Sequence, residues 1–372
     1  MQTEISKPQD IEIIEKDEQT AEIDKGDYES TYPYDPLEKD IDIREDKQSI
    51  FQFMRQYDNG KLIIDPDYQR NLVWTPFQMS RFIESVILNF PLPPFYVNQR
   101  KDGKYVIIDG LQRTTTLHKF IKSEFKLSGL KSLTDLNNKT FDELPEGYPS
   151  LIEDKNLLLY IIKPSTPIKV IYELFDRINT GGTPLNRQEV RNCIYSGEAT
   201  KLLNALSENV YFKKATHNSL SSKRMKDKEV ILRYLAFKIF DYQTEYNGNF
   251  SEFLDKAMIG LNKLNPEKLE ILKKDFERSM KLTYEFFGEL NFRLSSDSEN
   301  KQFLNISILD SVSYFFSTQS DEFLLKNKNN IIENFSKLLK DDTYLESVRL
   351  ATSTRTRVIN RFSKAQEILG KV

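Results

Sequence analysis

Residues 105–120, YVIIDGLQRTTTLHKF, hold the densest set of groups suited to chemistry in the chain. Tyr105 to Ile108 is a short β-branched run with strand character. Asp109-Gly110 is a turn signal. From Leu111 the apolar spacing becomes helical, with Leu117, Phe120 and Ile121 on one side. The stretch therefore reads as strand, tight turn, helix. The first amides of a helix have no intrahelical partner and carry the positive end of its dipole. A glycine ahead of them lets a ligand approach the backbone. Arg113 adds a planar fork of donors matched to phosphate, and Thr114, Thr115 and Thr116 add hydroxyls. Together these groups describe an anion site suited to phosphate. The same residues also fit a plainer description, in which Asp109 caps the helix and the threonines fill its first turn.

Two further segments supply matching groups. Tyr68, Gln69 and Arg70 precede Trp74, the single tryptophan. This segment reads either as a ligand-facing loop or as a surface loop anchored by a core tryptophan. The run FDRINTGGTPLNRQEVRN begins at Phe175. Asn179-Thr180-Gly181-Gly182 stops one helix, and Pro184 and Leu185 restart another. Two consecutive glycines between Arg177–Asn179 and Glu189–Arg191 permit backbone approach to a ligand, though an ordinary helix-turn-helix corner uses the same residues.

Taken in order, the three motifs are Y-Q-R at 68–70, D-G-L-Q-R-T-T-T-L at 109–117, and F-D-R-I-N-T-G-G-T-P-L with a following glutamate at 175–189. In this order and spacing the chain resembles the N-terminal domain family of GmrSD-type modification-dependent restriction systems. That family is named for its D-G-Q-Q-R signature and looks related to the ParB and sulfiredoxin fold. The resemblance spans roughly Ser49 to Gly197. It implies nucleotide binding and NTP hydrolysis tied to phage defence. Asp109, Gln112 and Arg113 would then be the catalytic residues. Tyr68, Gln69, Arg70, Gly110, Thr114, Thr115, Arg177, Asn179, Gly181 and Gly182 would complete the nucleotide site. Two departures stand out. Leu111 replaces the first glutamine of the signature, which removes a hydrogen-bonding side chain. Relatives often carry a C-terminal nuclease domain of the HNH type, whereas His118 and His217, the two histidines here, lie far apart and in no such motif.

The elements that must position these residues follow from periodicity and punctuation. Residues 48–58 suit a helix packing through Ile50, Phe51 and Met54, ended by Asn59-Gly60. Lys61 to Asp65 reads as a strand. Thr75 caps a helix that begins at Pro76 and runs to Asn89, with Glu84 facing either water or the site. Strands at Phe95–Gln99 and Lys104–Ile108 should pair antiparallel around Lys101-Asp102-Gly103. Residues 123–156 read as an irregular surface insertion. Asn156–Lys163 is a buried strand, and Thr166-Pro167 opens a helix to about Ile178. From Asn186 onward strand signals are few. Helical patterns at 230–240, 253–261, 269–287, 303–316 and 323–339 predict a bundle. In a last helix, Arg357, Arg361 and Lys364 share one side by i, i+4, i+7 spacing, a face that either grips DNA phosphates or is simply solvated.

The expected architecture is therefore α+β: a ParB/sulfiredoxin-like N-terminal domain at 48–197, followed by an all-α helical domain at 198–372. Residues 1–49 carry a net charge of −10 and the remainder +7. The reading is a disordered acidic tail over 1–47 ahead of a mildly basic body. The single cysteine, Cys193, excludes a disulfide framework and a cysteine-rich zinc site. With no long apolar run and no signal peptide, a cytoplasmic location is expected, without membrane association.

The leading expectation is a nucleotide-binding, NTP-hydrolysing component of a DNA-targeting system. A divalent metal, most simply Mg²⁺, would accompany the nucleoside triphosphate, held by Asp109 with Glu189 or Glu84, since hard cations prefer oxygen ligands. DNA and a separate nuclease subunit are the expected partners, and a homo-oligomer is compatible with this reading. Two alternatives stand beside it. One is a non-hydrolysing nucleotide switch or DNA-binding module that docks a partner effector. The other is a metal-dependent DNA nuclease using Asp109 and a glutamate.

Overall fold

The computed structural model describes residues 41–64, 74–178, 186–222, 224–295 and 302–371. Tyr68, Gln69, Arg70, Asn179, Gly181 and Gly182 lie outside the described residues, as does the acidic stretch before residue 41. The chain divides into two compact units, with the boundary between Ser196 and Gly197.

The first unit is built on a five-stranded sheet in the order β1-β5-β3-β4-β2. Its strands are β1 (Ile43–Ser49), β2 (Leu62–Ile63), β3 (Phe95–Gln99), β4 (Tyr105–Asp109) and β5 (Asn156–Ile162). β3 and β4 form the antiparallel hairpin that Asp102-Gly103 predicts, while β5 joins β3 in parallel and β2 joins β4 in parallel. β1 takes residues 43–47 from the stretch expected to be tail. IREDKQS shows little apolar alternation, so sequence alone does not mark it. Its stability comes from the antiparallel ladder with β5, and its charges suit an edge strand that must not pair further.

Alternation along the strands divides the apolar residues between two faces. Phe95, Val97, Ile107, Leu157, Leu159 and Ile161 meet α1 (Ile50–Asp58), α2 (Pro76–Ile87), α3 (Leu111–Ile121) and α4 (Tyr148–Glu153). Val106, Ile108 and Ile162 meet α5 (Ile168–Ile178) and α6 (Arg187–Ile194) on the other face. α2 starts where expected: Thr75 and Gln78 form a capping box with Pro76 in the first turn. Glu84 does not face a ligand site. It is buried, and its Oε1 accepts the backbone amides of Ser132 and Leu133 at 2.8 and 3.1 Å, tying the irregular 123–155 segment to α2.

The second unit is helical: α7 (Glu198–Ser207), α8 (Val210–Ala215), α9 (Lys226–Ile239), α10 (Phe250–Leu261), α11 (Pro266–Phe287), α12 (Ile306–Thr318), α13 (Asp321–Lys326), α14 (Lys328–Leu338), α15 (Asp342–Arg349) and α16 (Arg355–Leu369). It is not all-α. A small antiparallel hairpin, β6 (Arg293–Ser295) with β7 (Gln302–Leu304), lies between α11 and α12. No helix among the described residues is long and apolar enough to cross a membrane.

The core of this unit contains charge. Asp310 of α12 accepts Arg233 Nε of α9 at 3.2 Å, and Arg361 of α16 stands 3.3 Å from the same carboxylate. Arg361 is fully buried and donates to the Thr352 carbonyl at 2.5 Å. Burial pushes the Arg361 guanidinium down to about 10, against the upward pull of Asp310. One carboxylate thus compensates two cations from two other helices. Asp310→Asn should destabilise this unit by about 3–5 kcal/mol, because both arginines lose their counter-charge inside the core. Urea unfolding followed by circular dichroism measures it, and a change below about 1 kcal/mol would contradict this account.

Candidate functional site

The bend between β4 and α3 is set by backbone geometry first. Gly110 has φ +103°, and a Cβ there would overlap the Phe95 ring, so glycine is required on both counts. No side chain caps α3 at Gly110, and the first bond of the helix runs from Thr114 N to Gly110 O at 2.8 Å. The opening turn of α3 carries the positive end of the helix dipole.

The strand delivers Asp109 through an irregularity. The β3–β4 register shifts between Tyr96 and Val97, so that Tyr96 faces Asp109 while Val97 faces Ile107. Such a bulge re-aims the side chains that follow it. The Asp109 side chain is about one-third exposed, and its Oδ2 lies 2.6 Å from Arg113 NH2.

Arg113 has a different task from the one its position in the sequence suggests. It is buried, it donates to the carbonyls of Pro93 and of Pro94 (3.1 Å for the latter), and its guanidinium lies 4.3 Å over the Phe95 ring. Burial lowers its pKa from the ordinary value, with Asp109 pulling it back up. An arginine held this way is a brace for Asp109 and for the Pro93-Pro94 lead into β3. It does not present an open fork to a phosphate. The prolines ahead of β3 make a rigid lead whose carbonyls are placed to accept from Arg113.

The threonines separate by role. Thr114 Oγ1 bonds back to Gly110 O at 2.9 Å and Thr116 Oγ1 to Gln112 O at 2.7 Å, so both hydroxyls are spent within the helix. Thr115 Oγ1 is buried without a hydrogen-bond partner among the described residues. Gln112 is half-buried, and its Oε1 accepts Trp74 N at 3.4 Å. Leu111, the departure from the signature, packs against the core.

The other sequence-derived candidates do not gather at this bend. Arg177 is well exposed and pairs with Glu173 on its own helix. Glu189 is buried and closes a capping box at the start of α6, with its Oε2 accepting Asn186 N at 2.6 Å. That is a helix-cap role in place of the expected metal ligand. Nor is there a basic DNA-facing side on α16. Arg361 is buried against Asp310, Arg357 pairs with Glu346 at 2.6 Å, and Lys364 pairs with Glu367 at 3.0 Å. The helical spacing was correct, but the three side chains do not face the same environment. Among the described residues no group of three or more His, Cys, Asp or Glu side chains could hold a metal.

Two features escaped the sequence reading. α6 buries a polar set in which Gln188 Nε2 donates to Asn192 Oδ1 at 3.1 Å. Its polar composition, RQEVRN, was the available signal. The second is a clasp between α1 and α3: Asp58 meets His118 Nε2 and Lys122 Nζ, each at 3.0 Å, and Tyr57 lies edge-on to His118. A recess between residues 59–61 and the hairpin at 99–105 lies at the far end of β4 from Asp109.

A strand, a left-handed glycine and a helix, with a braced carboxylate at the corner, form the bend of this α+β domain. Residues 50–196 match the family described as GmrSD restriction endonuclease, N-terminal domain, and this segment of the chain carries that domain. No curated protein matches the chain.

Two outcomes follow. Gly110→Ala should cost about 2–4 kcal/mol from left-handed strain plus the clash with Phe95. Thermal unfolding reads it, and an unchanged melting temperature would refute the packing account. At Asp58, desolvation acts to raise the carboxyl, but the bonds and charges of Lys122 and His118 outweigh it and hold the group below its ordinary 3.8. A depressed carboxylate contributes stability above its unfolded pKa and loses it as pH falls. The stability gap between wild type and Asp58→Asn should therefore shrink as pH drops below 3.8. A gap that stays constant in denaturant titrations from about pH 5 to about pH 2 would contradict the clasp.

Proposed function

We propose that residues 50–196 bind a nucleoside triphosphate at the Asp109–Gly110 bend and hydrolyse it, as part of a restriction-like phage-defence system acting on DNA. The observation that carries this reading is the pairing of an uncapped helix start with a braced, part-exposed carboxylate. It occurs in a domain whose family is a restriction endonuclease family. A ParB/sulfiredoxin-like ancestry for the sheet belongs to the same proposal.

In this mechanism the amides at the start of α3 hold phosphate oxygens. Arg113 positions Asp109 and does not touch the nucleotide. The donor set fits Mg²⁺ as one carboxylate, because Mg²⁺ commonly takes one or two protein carboxylates and completes its shell with water and phosphate. Asp109 Oδ1, the oxygen that Arg113 does not take, is the atom that would hold it. When bound, the ion would neutralise phosphate charge and favour displacement by electrostatics and positioning. The helical unit would dock DNA or a separate nuclease subunit through a surface other than the Arg357–Lys364 side.

Leu111 favours a second reading. Its side chain packs on the core where the family signature has a glutamine, so the mouth of the bend has one polar group fewer. A nucleotide bound without turnover, acting as a switch, fits that change.

The test is binding and hydrolysis of ATP, GTP, CTP and UTP with Mg²⁺. Wild type should bind and turn over at least one of them. Asp109→Asn should lower turnover on the order of a hundredfold, and Arg113→Lys, which keeps the charge but loses the fork, about tenfold. Binding without turnover, unaffected by Asp109→Asn, selects the switch. Absence of binding at high protein concentration removes both readings.

A further inference from the structure

On the α5–α6 side of the sheet, Tyr96 packs against the edge of the cluster that those helices form and stays half-buried. α5 and α6 cover Val106, Ile108 and Ile162. Near the start of β3 and in the middle of β5 the side chains on this face are Tyr96, Leu158 and Tyr160, all half-buried, flanked on the edge strand by the exposed Glu45 and Lys47. The strand register aligns three of these positions with Asp109 across the sheet. Glu45 pairs with Tyr160, Tyr160 with Tyr96, and Tyr96 with Asp109. The two tyrosine rings lie 5.2 Å apart and are tilted by 31°, so they form a near-continuous aromatic shelf. Adjacent strands are spaced by about 4.8 Å, which puts the shelf roughly 5–10 Å from the Asp109 backbone, the scale of a sugar with its phosphates.

The shelf has the chemistry of a stacking platform. Tyrosine offers a large rigid face at small entropic cost, with a hydroxyl at its wet end. Burial pushes the Tyr96 phenol up, and Tyr160 and Asp109 push it the same way, so it remains a neutral donor beside the carboxylate. An aliphatic pair would seal this corner of the sheet more simply.

We propose that Tyr96 and Tyr160 are the base-stacking residues of the nucleotide site, receiving the nucleobase while the phosphates lie at Asp109 and the start of α3. This inference rests on the nucleotide-binding reading above. Stacking is tolerant of base identity because every base presents a π-face, so the shelf should accept purines and pyrimidines alike.

Calorimetric titrations with nucleoside triphosphates and with inorganic tripolyphosphate, both with Mg²⁺, separate the base from the phosphates. Tyr160→Ala and Tyr96→Ala should each weaken nucleotide affinity by about five- to hundredfold, leave tripolyphosphate affinity unchanged, and be rescued by Tyr→Phe at the same position. Wild type that binds nucleotide, with alanine variants that bind it equally well, overturns the shelf alone. So does parallel weakening of nucleotide and tripolyphosphate, which a purely structural role would give. Wild type that binds neither ligand overturns the nucleotide reading and the shelf together.

Discussion

The corner between β4 and α3 depends on one ion pair. Arg113 and Asp109 stand one helical turn apart in sequence, yet they come from opposite sides of the bend, one from the helix and one from the strand end. The guanidinium also holds the Pro93 and Pro94 carbonyls and lies over Phe95. Three chain segments, the end of β4, the 93–95 lead and α3 itself, are thereby fixed together by one side chain with a rigid fork of donors. A lysine would supply the charge without the geometry. Since the arginine is buried, each of these partners also offsets its desolvation, and the brace cannot be loosened in part without cost.

That brace changes how the signature residues are understood. In sequence, the arginine following D-G reads as a phosphate ligand. In the fold it is interior, and the aspartate it braces is part-exposed. The β-bulge ahead of Asp109 contributes to this, turning the carboxylate to the row that contains Tyr96 and Tyr160.

The helical unit uses charge differently. Arg233, Asp310 and Arg361 link α9, α12 and α16 inside the core. Such an arrangement contributes little net stability over an apolar one, but it penalises any packing that separates the partners. On α16, Arg357 and Lys364 are matched by Glu346 and Glu367, while Arg355 donates to the carbonyls of Gln243 and Tyr246.

Local chemistry made much of the fold legible. The Thr75-Pro76 cap, the Asp102-Gly103 hairpin, the apolar run at 156–162 and the strand–glycine–helix of residues 105–121 are all encoded within a few residues, where steric and capping preferences act directly. The motif order also carried the family of residues 50–196. Tertiary structure decided the rest, because burial and pairing depend on residues far apart in the chain. IREDKQS becomes β1 only because β5 offers it a ladder. Glu84 and Glu189 become structural because backbone amides reach them first, and Arg361 leaves the surface because Asp310 waits in the core. Sequence determined which groups are present and their local geometry. Only the fold decided which of them turn inward to hold the structure and which remain exposed, since a charged side chain is buried only where a partner offsets its desolvation.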